Sequence, residues 1–227
     1  MKLDLKWTEK IGFFLIFVIV VGSVTIARTD LHYYQAILTR EDGFIEWLTV
    51  IALVLGAMTS FYRAKILVTF RPATFILGLI VMGFIFLFGA GEEISWGQRI
   101  FDWGSPAFFH QYNTQGETNL HNLAFGGTKL NKLVFGLILG ICIAFYFLVL
   151  PFLYRKFPKV KSLVDRFALP IPKGFHIIAY LILAGLAELI PGHKKGEILE
   201  FGGCWIFYMM TLEPFNRERF SRKSFKR

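Results

Sequence analysis

A chain of 227 residues that is 55% hydrophobic and 17% aromatic, with a mean hydropathy of +0.52, is too apolar for an ordinary water-soluble domain, whose surface needs more charge. The formal charge of +9 does not make it a nucleic-acid binder, because the basic residues fall in separated segments rather than on one stretch. The two cysteines, Cys142 and Cys204, lie in apolar runs and support neither a disulfide framework nor a cysteine zinc site.

The expected fold is a single all-α integral membrane domain, a bundle of about six transmembrane helices with an extracytoplasmic loop folded over the outer helix ends. The first apolar run, 11–27, follows Lys2, Lys6 and Lys10. It lacks a small-x-small cleavage site, so it reads as a retained helix rather than a signal peptide. Further runs near bilayer length follow at 44–62, 73–91, 133–154, 174–190 and 198–213. Arg63, Lys65 and Arg71 fall in one connection, and Arg155, Lys156, Lys159, Lys161, Arg166 and Lys173 in another. A basic tail closes the chain over 214–227. With the N-terminus inside and six crossings, 18 of the 25 lysines and arginines lie on the inner side, the positive-inside pattern. This predicts a multi-pass protein of a prokaryotic inner membrane with both termini cytoplasmic, the tail near anionic lipid, and no nucleic-acid partner.

The same orientation collects the acids outside. Asp30, Glu41 and Asp42 read as solvated loop charge, and Glu46, at the start of the second span, and Glu213, before Pro214, as interfacial residues. His176 is expected at the inner interface. The third span ends in Gly-Ala-Gly-Glu92-Glu93-Ile-Ser95-Trp96-Gly-Gln98-Arg99, a dense polar set directly after an apolar run. A continuing helix would put Glu92, Ser95, Trp96 and Arg99 on one face, with Glu93 about 100° away. The following connection, 100–132, carries Gln115-Gly-Glu117-Thr-Asn119-Leu-His121-Asn122 and is expected to fold back on the membrane as a lid or re-entrant piece. Glu188, His193, Glu197 and Glu200 flank the turn between the last two spans, with Lys194 and Lys195 as candidates for local ion pairing.

These residues suggest a membrane enzyme, a hydrolase or transferase for a lipid or lipid-linked substrate. Glu92, Glu93, His121 and Arg99 are the expected catalytic set, with Arg99 holding an anionic head group. Ser95, Trp96, Gln98, Gln115, Glu117, Asn119 and Asn122 are the expected substrate contacts. His121, His193, Glu197 and Glu200 are donors suited to a divalent metal, although the chain has no HExxH or HxxxH pattern. The competing expectations are a proton- or cation-coupled transporter, which needs a polar path of which the inner halves of the spans offer little, and a non-catalytic subunit of a membrane complex.

Overall fold

The computed structural model describes residues 5–125, 128–129, 134, 137–192 and 194–222. Seven helices of nine residues or more organise them: α1 (Trp7–Thr29), α2 (Phe44–Leu67), α3 (Ala73–Glu93), α4 (Leu139–Lys156), α5 (Pro158–Arg166), α6 (Gly174–Ala187) and α7 (Lys195–Leu212). The protein is an all-helical membrane protein, apart from a two-residue antiparallel pairing of Ala124–Phe125 with Thr128–Lys129. Helices α1 to α4 are each long and apolar enough to cross a bilayer. Within α4, Phe145–Val149 form a π-turn. It precedes Pro151, which cannot donate to a helical ladder, and the widened turn absorbs that loss.

The last two expected spans are helices of a different kind. α6 has 14 residues, roughly 21 Å at 1.5 Å per residue, against a hydrocarbon layer of about 30 Å. α7 has 18 residues but carries Lys195, Glu197 and Glu200 in its first two turns. Helix α7 packs against α1, α2 and α6, and α2 packs in turn on α3. Half of the apolar stretch of α2 is buried, against 28% for α1 and α3, so α2 is an inner helix while its neighbours face outward. Val20, Tyr34, Ile45, Phe147, Phe201 and Ile206 form the main core. Phe14, Met58, Phe84, Ile85 and Ile141 are exposed. Apolar surface on this scale would associate in water and is solvated by lipid.

One end of the bundle gathers the basic segments. Glu9 is fully buried there, accepting from Lys173 Nζ at 2.9 Å and the Lys6 backbone at 3.0 Å. Glu213 pairs with Lys6 at 2.6 Å and Arg217 at 3.2 Å. One expectation is corrected at this end. His176 is fully buried rather than interfacial, its ring against Phe13 and Phe175 and its Nδ1 accepting from the Lys173 backbone at 3.1 Å. The described part of the tail, 214–222, packs on the bundle. Asn216 bridges to Ile171 and Leu169, Phe220 is buried against Phe75, and Arg222 donates to the Ile66 carbonyl. Lys223, Lys226 and Arg227 lie outside the described residues, as does part of the 133–154 run before α4.

Candidate functional site

At the opposite end the helices stop among acids. Helix α3 ends at Glu93, and Ser95, Trp96 and Gly97 then take positive φ of 47°, 55° and 80°. Left-handed backbone at two non-glycine residues costs about 1–2 kcal/mol each, and the surrounding contacts hold it. The turn folds the Trp96 ring back over α3, where its edge meets Phe88 with centroids 5.7 Å apart. A side chain on Gly91 would place Cβ 2.8 Å from the same ring, so the close approach requires glycine there. The expected continuous helical face of Glu92, Ser95, Trp96 and Arg99 is therefore corrected, because the helix breaks before Ser95 and sends Arg99 away from Glu92.

Glu92, 4% exposed, binds the returning loop instead. Its Oε1 accepts from Trp96 Nε1 at 2.9 Å, and its Oε2 accepts from the backbone N–H groups of Leu120 and His121 at 2.7 and 3.1 Å. His121 Nδ1 stands 3.5 Å from the same oxygen. Burial lowers the pKa of His121, but the hydrogen bond with Glu92 and the negative field of Glu200, Glu92 and Glu117 outweigh it and raise the imidazole above its ordinary value. His121 thus joins Glu92 as the sequence suggested, with the carboxylate acting as its anchor.

Arg99 does not hold a free anion site. Its Nε and Nη2 fork onto Asp42 at 2.6 and 3.1 Å, Nη2 also reaches Glu46 at 3.0 Å, and Nη1 meets Glu117 at 2.5 Å. Glu41 is 3.9 Å away. Burial lowers its pKa, but the carboxylates outweigh that and hold the guanidinium more firmly protonated than usual. The head-group role expected for Arg99 is replaced by a clamp joining the turn before α2, the start of α2 and the loop. Asp42 and Glu46, read from sequence as loop and interface charge, are its partners. The legible signal was an arginine placed directly beyond a carboxylate pair at the acid-rich end.

The expected substrate contacts are brought together, and they largely satisfy one another. Buried Ser95 donates to Glu117 at 2.7 Å and accepts from Asn119 Nδ2 at 2.9 Å. Gln98 Oε1 accepts from the Thr118 backbone at 2.7 Å and Ser105 at 3.1 Å. Asn113, which the sequence reading missed, donates to Asn119 Oδ1 at 2.9 Å and accepts from the backbone of Gln115 and Glu117. Gln115 donates to Glu41 at 2.5 Å and accepts from Asn122. These groups build the loop's shape, and Trp96, 47% exposed, presents a large aromatic surface outward.

Three carboxylates remain. Glu93 lies within Coulombic reach of Glu200, Glu46, Glu197 and Glu92, and Glu200 within reach of Glu197, His121 and Glu46. Among the described residues, the side chains of Glu93, Glu197 and Glu200 make no hydrogen bond or ion pair. The lysines of the adjoining turn are engaged elsewhere, Lys195 with Glu188 at 2.7 Å and Lys194 with the Thr39 carbonyl at 2.5 Å. Glu197, Glu200 and Cys204 follow each other at i, i+3 and i+7 on α7, and Cys204 reaches the α2–α3 cluster of Leu53, Ala57 and Ala90. Glu93 and Glu197 are partly buried while Glu200 is exposed, and the trio lies at the C-terminal end of α3 and in the first two turns of α7. No group of three or more His, Cys, Asp and Glu side chains among the described residues is arranged to hold a metal ion. His193, a member of the expected metal set, lies outside them. No protein-family model, curated protein or solved structure matches the chain.

Proposed function

We propose that this is a membrane hydrolase or group transferase whose acid–base site is built from the acids at the end of α3 and the start of α7 and acts on a lipid or lipid-linked substrate. The observation that carries the reading is the contrast within one end of the bundle: the loop's polar groups are bonded to one another, while Glu93, Glu197 and Glu200 have no partner among the described residues. A partly buried carboxylate without a partner, as at Glu93 and Glu197, is costly unless it binds a proton, a cation or a substrate. In the proposed reaction, Glu93 or Glu200 takes a proton from the attacking water or acceptor hydroxyl, and His121, held as imidazolium by Glu92, gives one to the leaving group. Arg99 and Glu92 position the loop. Exposed Trp96 and the lipid-facing flank of α3 offer an apolar surface to a lipid tail.

We further infer six crossings of a prokaryotic inner membrane, with both termini cytoplasmic and the site on the extracytoplasmic side. The charge distribution supports this orientation. The enclosure of α7 by α1, α2 and α6 supports its crossing despite three charges, and local thinning of the bilayer accommodates the short α6. A proton-coupled carrier is the second reading, because unpaired clustered acids also suit proton binding. The mid-helix core of Val20, Phe147, Leu183, Phe201 and Ile206 gives it no polar path.

The test is incubation of the purified protein with total polar lipid of its expression host, followed by mass spectrometry of the lipids. Wild type is expected to form a time-dependent product, with Glu93→Gln or Glu200→Gln slowing it by about 10²-fold or more and His121→Ala also slowing it, at unchanged unfolding temperature. An absence of lipid conversion, with proton flux in reconstituted vesicles that Glu200→Gln abolishes, would replace the enzyme by the carrier. Absence of both, with a stable partner lost on substitution of Glu92 or His121, would make the chain a complex subunit.

A further inference from the structure

The basic end carries a second feature that the acid–base reading does not use. Helix α5 separates two grooves. On one side Ile141, Phe145, Leu150, Leu163 and Phe167 line an apolar groove of about 580 Å³. On the other, a groove of about 540 Å³ is lined by Arg71, Lys161, Ser162, Asp165, Arg166 and Arg219. The sequence of α5 explains the division: Val160, Leu163 and Val164 recur on one face, and Lys161, Ser162, Asp165 and Arg166 on the other, the pattern of a helix at an apolar–polar boundary.

Four cations, Arg71, Lys161, Arg166 and Arg219, line the basic groove with one carboxylate, Asp165, and that carboxylate is already occupied. Asp165 accepts from Lys161 at 3.0 Å, Tyr154 at 2.9 Å, Asn216 at 3.3 Å and Arg219 at 3.0 Å. Arg71 donates to the backbone carbonyls of Arg219 and Glu218 at 2.9 and 3.2 Å, which fixes the guanidinium at the rim. Arg166 makes no hydrogen bond or ion pair among the described residues and is exposed. The groove's depth is set by the spans. Arg71 and Pro72 immediately precede α3, and Pro158 follows α4 after one residue, so the cations stand where two membrane-crossing helices leave the apolar layer.

We propose that this groove binds the phosphate head group of an anionic phospholipid. Excess cationic charge with a forked guanidinium suits a phosphate oxyanion, and a lipid delivers that phosphate at the depth of the groove, beside the apolar side of α5. The orientation proposed above assigns the lipid to the cytoplasmic leaflet, although the binding itself does not depend on that orientation or on the reaction at the other end.

The full-length protein in mild detergent, examined by native mass spectrometry with phosphatidylglycerol, phosphatidylcholine or inorganic phosphate, tests the proposal. Phosphatidylglycerol is expected to bind in preference to phosphatidylcholine, and Arg166→Gln to weaken it at least about threefold at unchanged unfolding temperature. Ser162→Asp, which adds a negative charge to the same groove, is expected to weaken it as well. Lys10→Gln removes the same charge from the same end, away from the groove, and should leave binding unchanged. Equal binding of the two lipids, no effect of both groove variants, or an equal loss in Lys10→Gln would overturn the site. Displacement of phosphatidylglycerol by millimolar inorganic phosphate would overturn the lipid assignment in favour of a free-phosphate site.

Discussion

Arg99 is the residue on which the acid-rich end depends. Its guanidinium contacts Asp42, Glu46 and Glu117 directly, with Glu41 close by, so removing it leaves an excess of negative charge at a partly buried position. Arg99→Gln should destabilise the protein by about 2–4 kcal/mol, read as a lower unfolding temperature and faster proteolysis within 94–123. Arg99→Lys should recover little, because an ammonium cannot reproduce the fork onto Asp42. A loop as resistant in Arg99→Gln as in wild type would remove the clamp from the account. His121 adds a pH dependence of definite sign. Its pKa is raised in the folded protein, so the stability from its contact with Glu92 is fully present below the unfolded value of about 6.5 and is lost as pH rises through the higher folded value. Hydrogen exchange at the Leu120 and His121 amides should therefore quicken from about pH 6.5 upward beyond its intrinsic trend. His121→Gln should flatten that excess, and an identical pH profile in the variant would exclude the pair as its origin.

Elements differ in how far the sequence announced them. The apolar runs located α1 to α4, α6 and α7, because lipid solvation forces long uninterrupted apolar helices and leaves a periodicity that needs no partner to be seen. The 94–123 loop was legible as a polar, structured segment returning to Glu92, and its joining of His121 to that residue follows from the same order of elements. Its internal wiring was not legible. The break after Glu93 rests on left-handed backbone at Ser95 and Trp96, residues with no intrinsic preference for it, and the pairing of Arg99 with Asp42 spans 57 positions. The packed tail escaped for a related reason: Asn216 and Phe220 read as part of a basic terminus, and only Ile171 and Phe75, distant in sequence, give them partners. Helix α5 shows how one such contact sets an element's place. A Cβ on Gly78 of α3 would fall 2.0 Å from the Phe167 carbonyl oxygen, a backbone atom that cannot rotate aside. Gly78→Ala should push α5 from α3, lower the unfolding temperature by a cost of about 1–3 kcal/mol, and raise the exposure of Phe167. A variant as stable as wild type would mean that α5 is not fixed at that contact.

At the scale of the molecule, the two ends have opposite characters and the bundle between them is apolar. Basic residues at one end contact carboxylates, aromatic rings and carbonyls, as in Arg63 donating to the carbonyl of Leu212 at 2.8 Å and lying over Phe220. The other end holds an excess of acids, four of which surround Arg99. Retention of lysine and arginine on the cytoplasmic side orders such a polarity during insertion, so the end bearing α5 should stay inside and the Arg99 end should be translocated. Cysteine labelling in sealed cells separates the alternatives once Cys142 and Cys204, both free thiols, are replaced by alanine. Gly104→Cys lies in the exposed loop with no neighbour near its Cβ, and Lys159→Cys lies on exposed α5. A membrane-impermeant maleimide should label residue 104 in intact cells and residue 159 only after permeabilisation. The reverse pattern would turn the site toward the cytoplasm, and its substrate would have to be sought in the inner leaflet. Labelling of both from one side would require an even number of crossings between them, a count incompatible with α4 spanning alone after the loop, and would place α4 in the membrane without crossing it.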